Sequence, residues 1–81
     1  MLTEKLTIDL IEFDTSIKVD IKKSELIHEY NVYYTDNTFI LNATYNNKKE
    51  MLEFNEGLII PNEILNAVFD VIDAIEKEYE S

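Results

Sequence analysis

The sequence predicts an α+β fold, an antiparallel sheet of about five strands with a long amphipathic helix at its C-terminus packed on one face. The strands read as a hairpin followed by a three-stranded meander. Three observations carry this reading. Residues 61–81, PNEILNAVFDVIDAIEKEYES, repeat apolar side chains at three- and four-residue spacing, the period of a helix. Residues 5–22 and 31–55 alternate apolar and polar side chains, the period of a strand. One glycine and one proline leave the turns to Asn, Asp and Ser, and no linker divides the chain, so residues 1–81 read as one small acidic domain.

Taken in order, Lys5 to Phe13 (KLTIDLIEF) is the first strand, with Leu6, Ile8 and Leu10 on one face and Thr7 and Asp9 on the other. Ile11 and Phe13 break the alternation. The strand is therefore either covered on both sides or re-aimed by a bulge near Leu10 and Ile11. Asp14, Thr15 and Ser16 make the turn, and Ile17, Val19 and Ile21 alternate with Lys18, Asp20 and Lys22 on the way back. A three-residue loop would set Phe13 against Ile17, and a two-residue loop would shift that register; the sequence leaves both open. Ser24 to Tyr30 (SELIHEY) reads as a short helix, with Ser24 as N-cap, Glu25 in the first turn, and Leu26, Ile27 and Tyr30 packing it down.

Residues 31–55 read as the meander. Two-residue loops at Asp36-Asn37 and Asn46-Asn47, where Asn and Asp accept positive φ, pair Tyr34 with Phe39 and Val32 with Leu41. They also pair Leu41 with Leu52, Phe39 with Phe54 and Ala43 with Glu50. Both turns place Phe39 and Leu41 on one apolar face. Tyr33, Ile40, Asn42, Thr44, Met51 and Glu53 fall on the other, a mixed surface that suits the side of a sheet nearer water. Asn55-Glu56-Gly57 ends the meander, and Leu58-Ile59-Ile60 leads on as a brief strand or a hydrophobic staple. Pro61 then suits a first helical turn. Ile64, Leu65, Val68, Val71, Ile72, Ile75 and Tyr79 form the apolar stripe of the helix. Glu63, Asn66, Asp70, Asp73, Lys77 and Glu80 stand opposite, with Glu76 and Glu78 on the flanks.

Function is signalled chiefly by charge. Seventeen acids against seven basic residues give a net charge of −10. Such a chain is repelled by nucleic acid and anionic membranes and attracted to basic protein surfaces. Glu4, Lys5, Asp9 and Glu12 interrupt the N-terminal segment, so no signal-peptide core is expected, and no apolar run approaches membrane-spanning length. Together with the absence of cysteine, this makes a cytoplasmic protein the expectation.

Catalysis has little to draw on. There is no cysteine nucleophile, and one glycine excludes the usual phosphate-binding loops. His28, near Glu25 and Glu29, reads as a surface histidine. No DxDxDG calcium turn is present, and Asp73 with Lys77 reads as a solvated i,i+4 pair. No enzyme, cofactor or metal is expected.

What remains is the acidic face of the helix: Glu63, Asp70, Asp73, Glu76 and Glu80. Glu76, Glu78 and Glu80 crowd the end where the helix dipole prefers cations. Glu63, Asp70, Asp73 and Glu80 are spaced roughly 5–11 Å along the axis, comparable to phosphates on a duplex. The expectation is a non-enzymatic protein that binds a basic surface of a partner protein. In its sharper form this is an inhibitor that keeps nucleic acid from a nucleic-acid-binding protein, a DNA mimic of the kind found in phage counter-defence. The alternative is a structural or assembly module, a homodimer formed through the open sheet face at Tyr33, Ile40 and Met51.

Overall fold

Residues 2–57 and 59–80 are described by the structure, a computed structural model, with the backbone alone for Leu2 and Glu80. Strands β1 (Leu2–Leu10), β2 (Thr15–Lys23), β3 (Ile27–Tyr34), β4 (Phe39–Asn46) and β5 (Met51–Gly57) form a single antiparallel sheet in chain order, β1-β2-β3-β4-β5. Helix α1 (Asn62–Glu80) lies over one face. The Pro61 carbonyl accepts the N–H groups of Ile64 (3.0 Å) and Leu65 (3.1 Å), so Pro61 sits just before the first turn of α1.

The helical stripe is buried as its period requires. Val68 and Ile72 meet Ile17, Val19 and Ile21 of β2, Tyr30 and Val32 of β3, and Leu41 and Ala43 of β4 in one core. Ile64, Leu65, Val71 and Tyr79 pack around it. Each large apolar side chain so enclosed contributes roughly 1.5–3 kcal/mol.

Four local expectations are corrected. β1 stops at Leu10, and Ile11–Phe13 form a short 3-10 turn closed by Asp14 in the left-handed region (φ 51°). Setting Phe13 against Ile17 would have put Leu10 opposite Asp20. The longer loop changes the parity, so Leu6 faces Val19 and Ile8 faces Ile17.

Ser24 to Tyr30 is not a helix. The Ser24 hydroxyl donates to the Ile27 carbonyl (2.9 Å), the Ser24 N–H reaches the same oxygen (2.9 Å), and β3 starts at Ile27. Two turns of isolated helix gain little, whereas β2 and β4 offer a ladder on both sides of the segment. The hairpin and meander therefore merge into one continuous five-stranded meander.

In the β3–β4 hairpin Val32 does face Leu41, but a bulge at Ile40 brings Tyr33 opposite Phe39. The turn is wider than two residues: the Tyr34 N–H bonds the Thr38 carbonyl (2.8 Å), and Asn37 takes φ 73°. Ile40 is thereby fully buried, and the Phe39 ring moves beside Tyr33 on the outer face, 5.8 Å between centroids.

The β4–β5 loop is also longer than expected, spanning residues 47–50, and the register is Tyr45 to Leu52 and Ala43 to Phe54. The Asn46 side chain organises it by accepting the N–H groups of Lys48 (3.0 Å) and Lys49 (3.1 Å). The offset from the expected pairing is an even number of residues, so Leu52 and Phe54 keep the expected face. A second bulge at Asn55 sets Leu41 opposite Gly57. Leu58 and Ser81 lie outside the described residues; Ile59 and Ile60 form no strand, and Ile60 packs against the core.

Candidate functional site

On the outer surface of α1, Glu63, Asp70 and Asp73 are exposed, as expected of a docking face. The Glu80 side chain lies outside the described residues. Glu76 does not belong to this surface: it is 4% exposed and points into the sheet. Its position explains why. Glu76 follows Ile72 by four residues and precedes Tyr79 by three, so it stands within the apolar stripe.

Glu76 is the centre of a polar cluster under the C-terminal end of the helix. His28 Nδ1 lies 2.8 and 3.0 Å from its two carboxylate oxygens, and the Tyr30 hydroxyl donates to one of them. A carboxylate only accepts, so Nδ1 carries the proton. Nε2 is then free to accept from the Asn47 side-chain amide (3.2 Å), which also donates to the Glu25 carbonyl (3.1 Å). The imidazole stacks on Tyr45 and meets the Tyr79 ring edge-on. Lys23 Nζ sits 3.0 Å from the centre of the Tyr79 ring and 3.3 Å from Glu4, and the Tyr79 hydroxyl donates to Glu4 (3.0 Å). His28 is therefore an interior residue, not a surface one, at 8% exposure.

The electrostatics follow from this packing. Burial, helped by the Glu76 carboxylate, pushes the Tyr30 phenol far above its ordinary value. Burial likewise raises Tyr79. Desolvation works against the ammonium of Lys23, but contacts with Tyr79 and Glu4 outweigh it and raise the group. Lys23, His28, Asn47, Glu76 and Tyr79 surround a hollow of about 380 Å³. A carboxylate–imidazole pair is half of a general-base system. Here, however, Nε2 is directed at an amide rather than a nucleophile, and the cluster ties four strands, β1 to β4, and the β4–β5 loop to α1.

A second feature gathers acids from distant parts of the chain. A groove of about 310 Å³ runs between the β1–β2 turn and α1, lined by Asp9, Leu10, Ile11, Glu12, Phe13, Ala67 and Asp70. Ile11 stands at its mouth, 88% exposed. The 3-10 turn creates this arrangement by ending β1 at Leu10 and lifting Ile11 out of the alternation. Asp70 thus belongs with Glu12 and Asp9 as much as with its own helix. The signal was the broken alternation at Ile11, but the approach of α1 is not visible in sequence.

The open sheet face does not assemble the expected patch. Ile40 is fully buried, Tyr33 is half-buried beside Phe39, and Met51 is exposed opposite Asn46 at the other end of β4. Among the described residues no group of three ligating side chains is placed to hold a metal ion, and no helix is long and apolar enough to cross a membrane. Comparison with protein-family models, curated proteins and solved structures returns no match for this chain.

Proposed function

We propose that this protein binds a basic surface of another protein through the turn-and-helix end of the molecule. Glu12, Glu63, Asp70 and Asp73 supply the charge and Ile11 the apolar anchor. The observation that supports this best is the exposure of Ile11 at a groove rimmed by Asp9, Glu12 and Asp70. An apolar side chain ringed by carboxylates complements a hydrophobic pocket ringed by Lys and Arg, with the central contact carrying affinity and the rim carrying rate and register. The net charge of −10 steers the encounter. Where the partner surface ordinarily takes nucleic acid, occupation by this protein blocks it, which is the DNA-mimic form of the reading.

The test compares two charge-reversed pairs for affinity to a partner isolated from native extract. Glu12→Lys with Asp70→Lys, and Glu53→Lys with Glu56→Lys on β5, each move the net charge from −10 to −6, since each reversal adds two. Asp9 is unsuitable for the control because it lines the same groove as Asp70. The first pair should weaken binding about tenfold or more and the second much less, and Ile11→Ser should weaken it with no change in charge. Equal losses from both pairs would reduce the acids to general attraction. Competition by the partner's nucleic acid separates mimicry from binding elsewhere on the partner.

A further inference from the structure

We infer that β1 is the seam of a homodimer, with two copies of the strand pairing antiparallel about a two-fold axis at Thr7. This goes beyond the binding reading above and does not depend on it.

The sheet has two edges, and they are built differently. β5 carries a bulge at Asn55 and exposes Glu53 and Glu56, devices that discourage a further strand from pairing. β1 has neither a bulge nor a proline. Its register against β2 runs unbroken from Leu2 opposite Lys23 to Leu10 opposite Thr15, so its far side is a straight nine-residue edge. β1 exposes charges too, Lys5 and Asp9, but its edge is regular, so a strand that answers those charges in register can pair with it.

The charge pattern identifies that strand as a second β1. Residues 5–9 read Lys-Leu-Thr-Ile-Asp. With Thr7 on the axis, Lys5 of each copy faces Asp9 of the other, Leu6 faces Ile8, and Thr7 faces itself. Moving the axis to Leu6 or Ile8 leaves Lys5 or Asp9 opposite Thr7 and removes both ion pairs, so charge selects the register. The same operation on β5 would bring acidic strands together.

The core side fits as well. Leu6 and Ile8 are only half-buried, and a groove of about 280 Å³ between β1 and α1 is lined by Leu6, Ile8, Val71, Ala74, Ile75 and Glu78. A two-fold axis perpendicular to the sheet keeps both core faces on one side. The two grooves then face each other beneath a continuous sheet, and their apolar walls leave water together.

The chain lacks cysteine, which permits a direct test. Sedimentation of the whole protein at physiological salt should show a dimer. Lys5→Asp or Asp9→Lys alone should weaken it about tenfold or more, and the double reversal should restore it by re-forming the pairs in opposite sense. Thr7→Cys should give a covalent dimer on mild oxidation, whereas Thr3→Cys, which would lie opposite residue 11, should not. A monomer at every concentration overturns the inference. So does a dimer in which the double reversal is as weak as either single variant, or in which Thr3→Cys links as readily as Thr7→Cys. Because Asp9 also accepts from Ser16 (2.6 Å), thermal melting of each variant separates lost pairing from lost folding.

Discussion

Glu76 accepts from His28 and Tyr30, all three buried, and removing it would orphan two buried donors at once. Glu76→Ala should therefore cost about 3–5 kcal/mol in urea unfolding, while Asp73→Ala, one turn earlier and exposed, should stay within about 0.5 kcal/mol. Equal effects would return Glu76 to the solvated surface. Tyrosine ionisation gives a second check on the same cluster. Tyr30 and Tyr79 are raised by burial, and Lys23 is raised by its partners. A group whose folded pKa exceeds its unfolded value lends stability fully below the unfolded value and loses it as pH climbs through the folded one. The ordinary phenol and ammonium values lie near about 10, so stability should decline above roughly that pH. In an absorbance titration of the five tyrosines, the Tyr30 phenolate should emerge only together with loss of far-ultraviolet circular dichroism. Uniform titration of all five with the fold intact would contradict the buried hydrogen bond.

At the scale of elements, two bulges decide which side chains the sheet buries. Without the extra residue at position 40, Phe39 would face the helix and Ile40 the solvent; with it, Ile40 enters the core and Phe39 leans on Tyr33. Ile40→Ala should consequently cost about 2–5 kcal/mol, and Phe39→Ala clearly less, since only part of its ring leaves water. Denaturant midpoints of the two variants settle the order, and the reverse order would restore the unbulged hairpin. The β4–β5 strand pair shows the complementary case. Its register differs from the one that a two-residue loop implies, yet Leu52 and Phe54 keep their face because the slip is even. Alternation constrains the face of a strand more tightly than it constrains the partner.

Across the whole molecule, 17 acids stand against seven basic residues. Lys23 pairs with Glu4, but the acids outnumber the basic residues by ten, so repulsion among carboxylates outweighs specific attraction. Raising salt from low ionic strength to about 0.15 M, where screening acts over about 8 Å, should raise the melting temperature. A fall would mean that ion pairs dominate instead. Repulsion also bears on assembly, since two copies can join only where charges interleave, as at Lys5 and Asp9.

Local periodicity by itself determined the class of fold, the helix with its stripe, and the strand character of nearly every β segment, because an amphipathic period is written directly in residue spacing. The same spacing held Glu76 within the stripe, although its charge drew it to the acidic face in the reading of the sequence. Tertiary structure alone decided what depends on neighbours remote in the chain. Ser24 to Tyr30 gave up a helical pattern because β2 and β4 offered pairing on both sides, and Ile40 displaced Phe39 because a bulge costs less than an isoleucine in water. His28 became interior because Glu76, 48 residues away, supplied the acceptor it needed. Asp70 joined Glu12 because α1 crosses the β1–β2 turn. Short-range spacing carries no record of these approaches; they follow from which surfaces must leave water together.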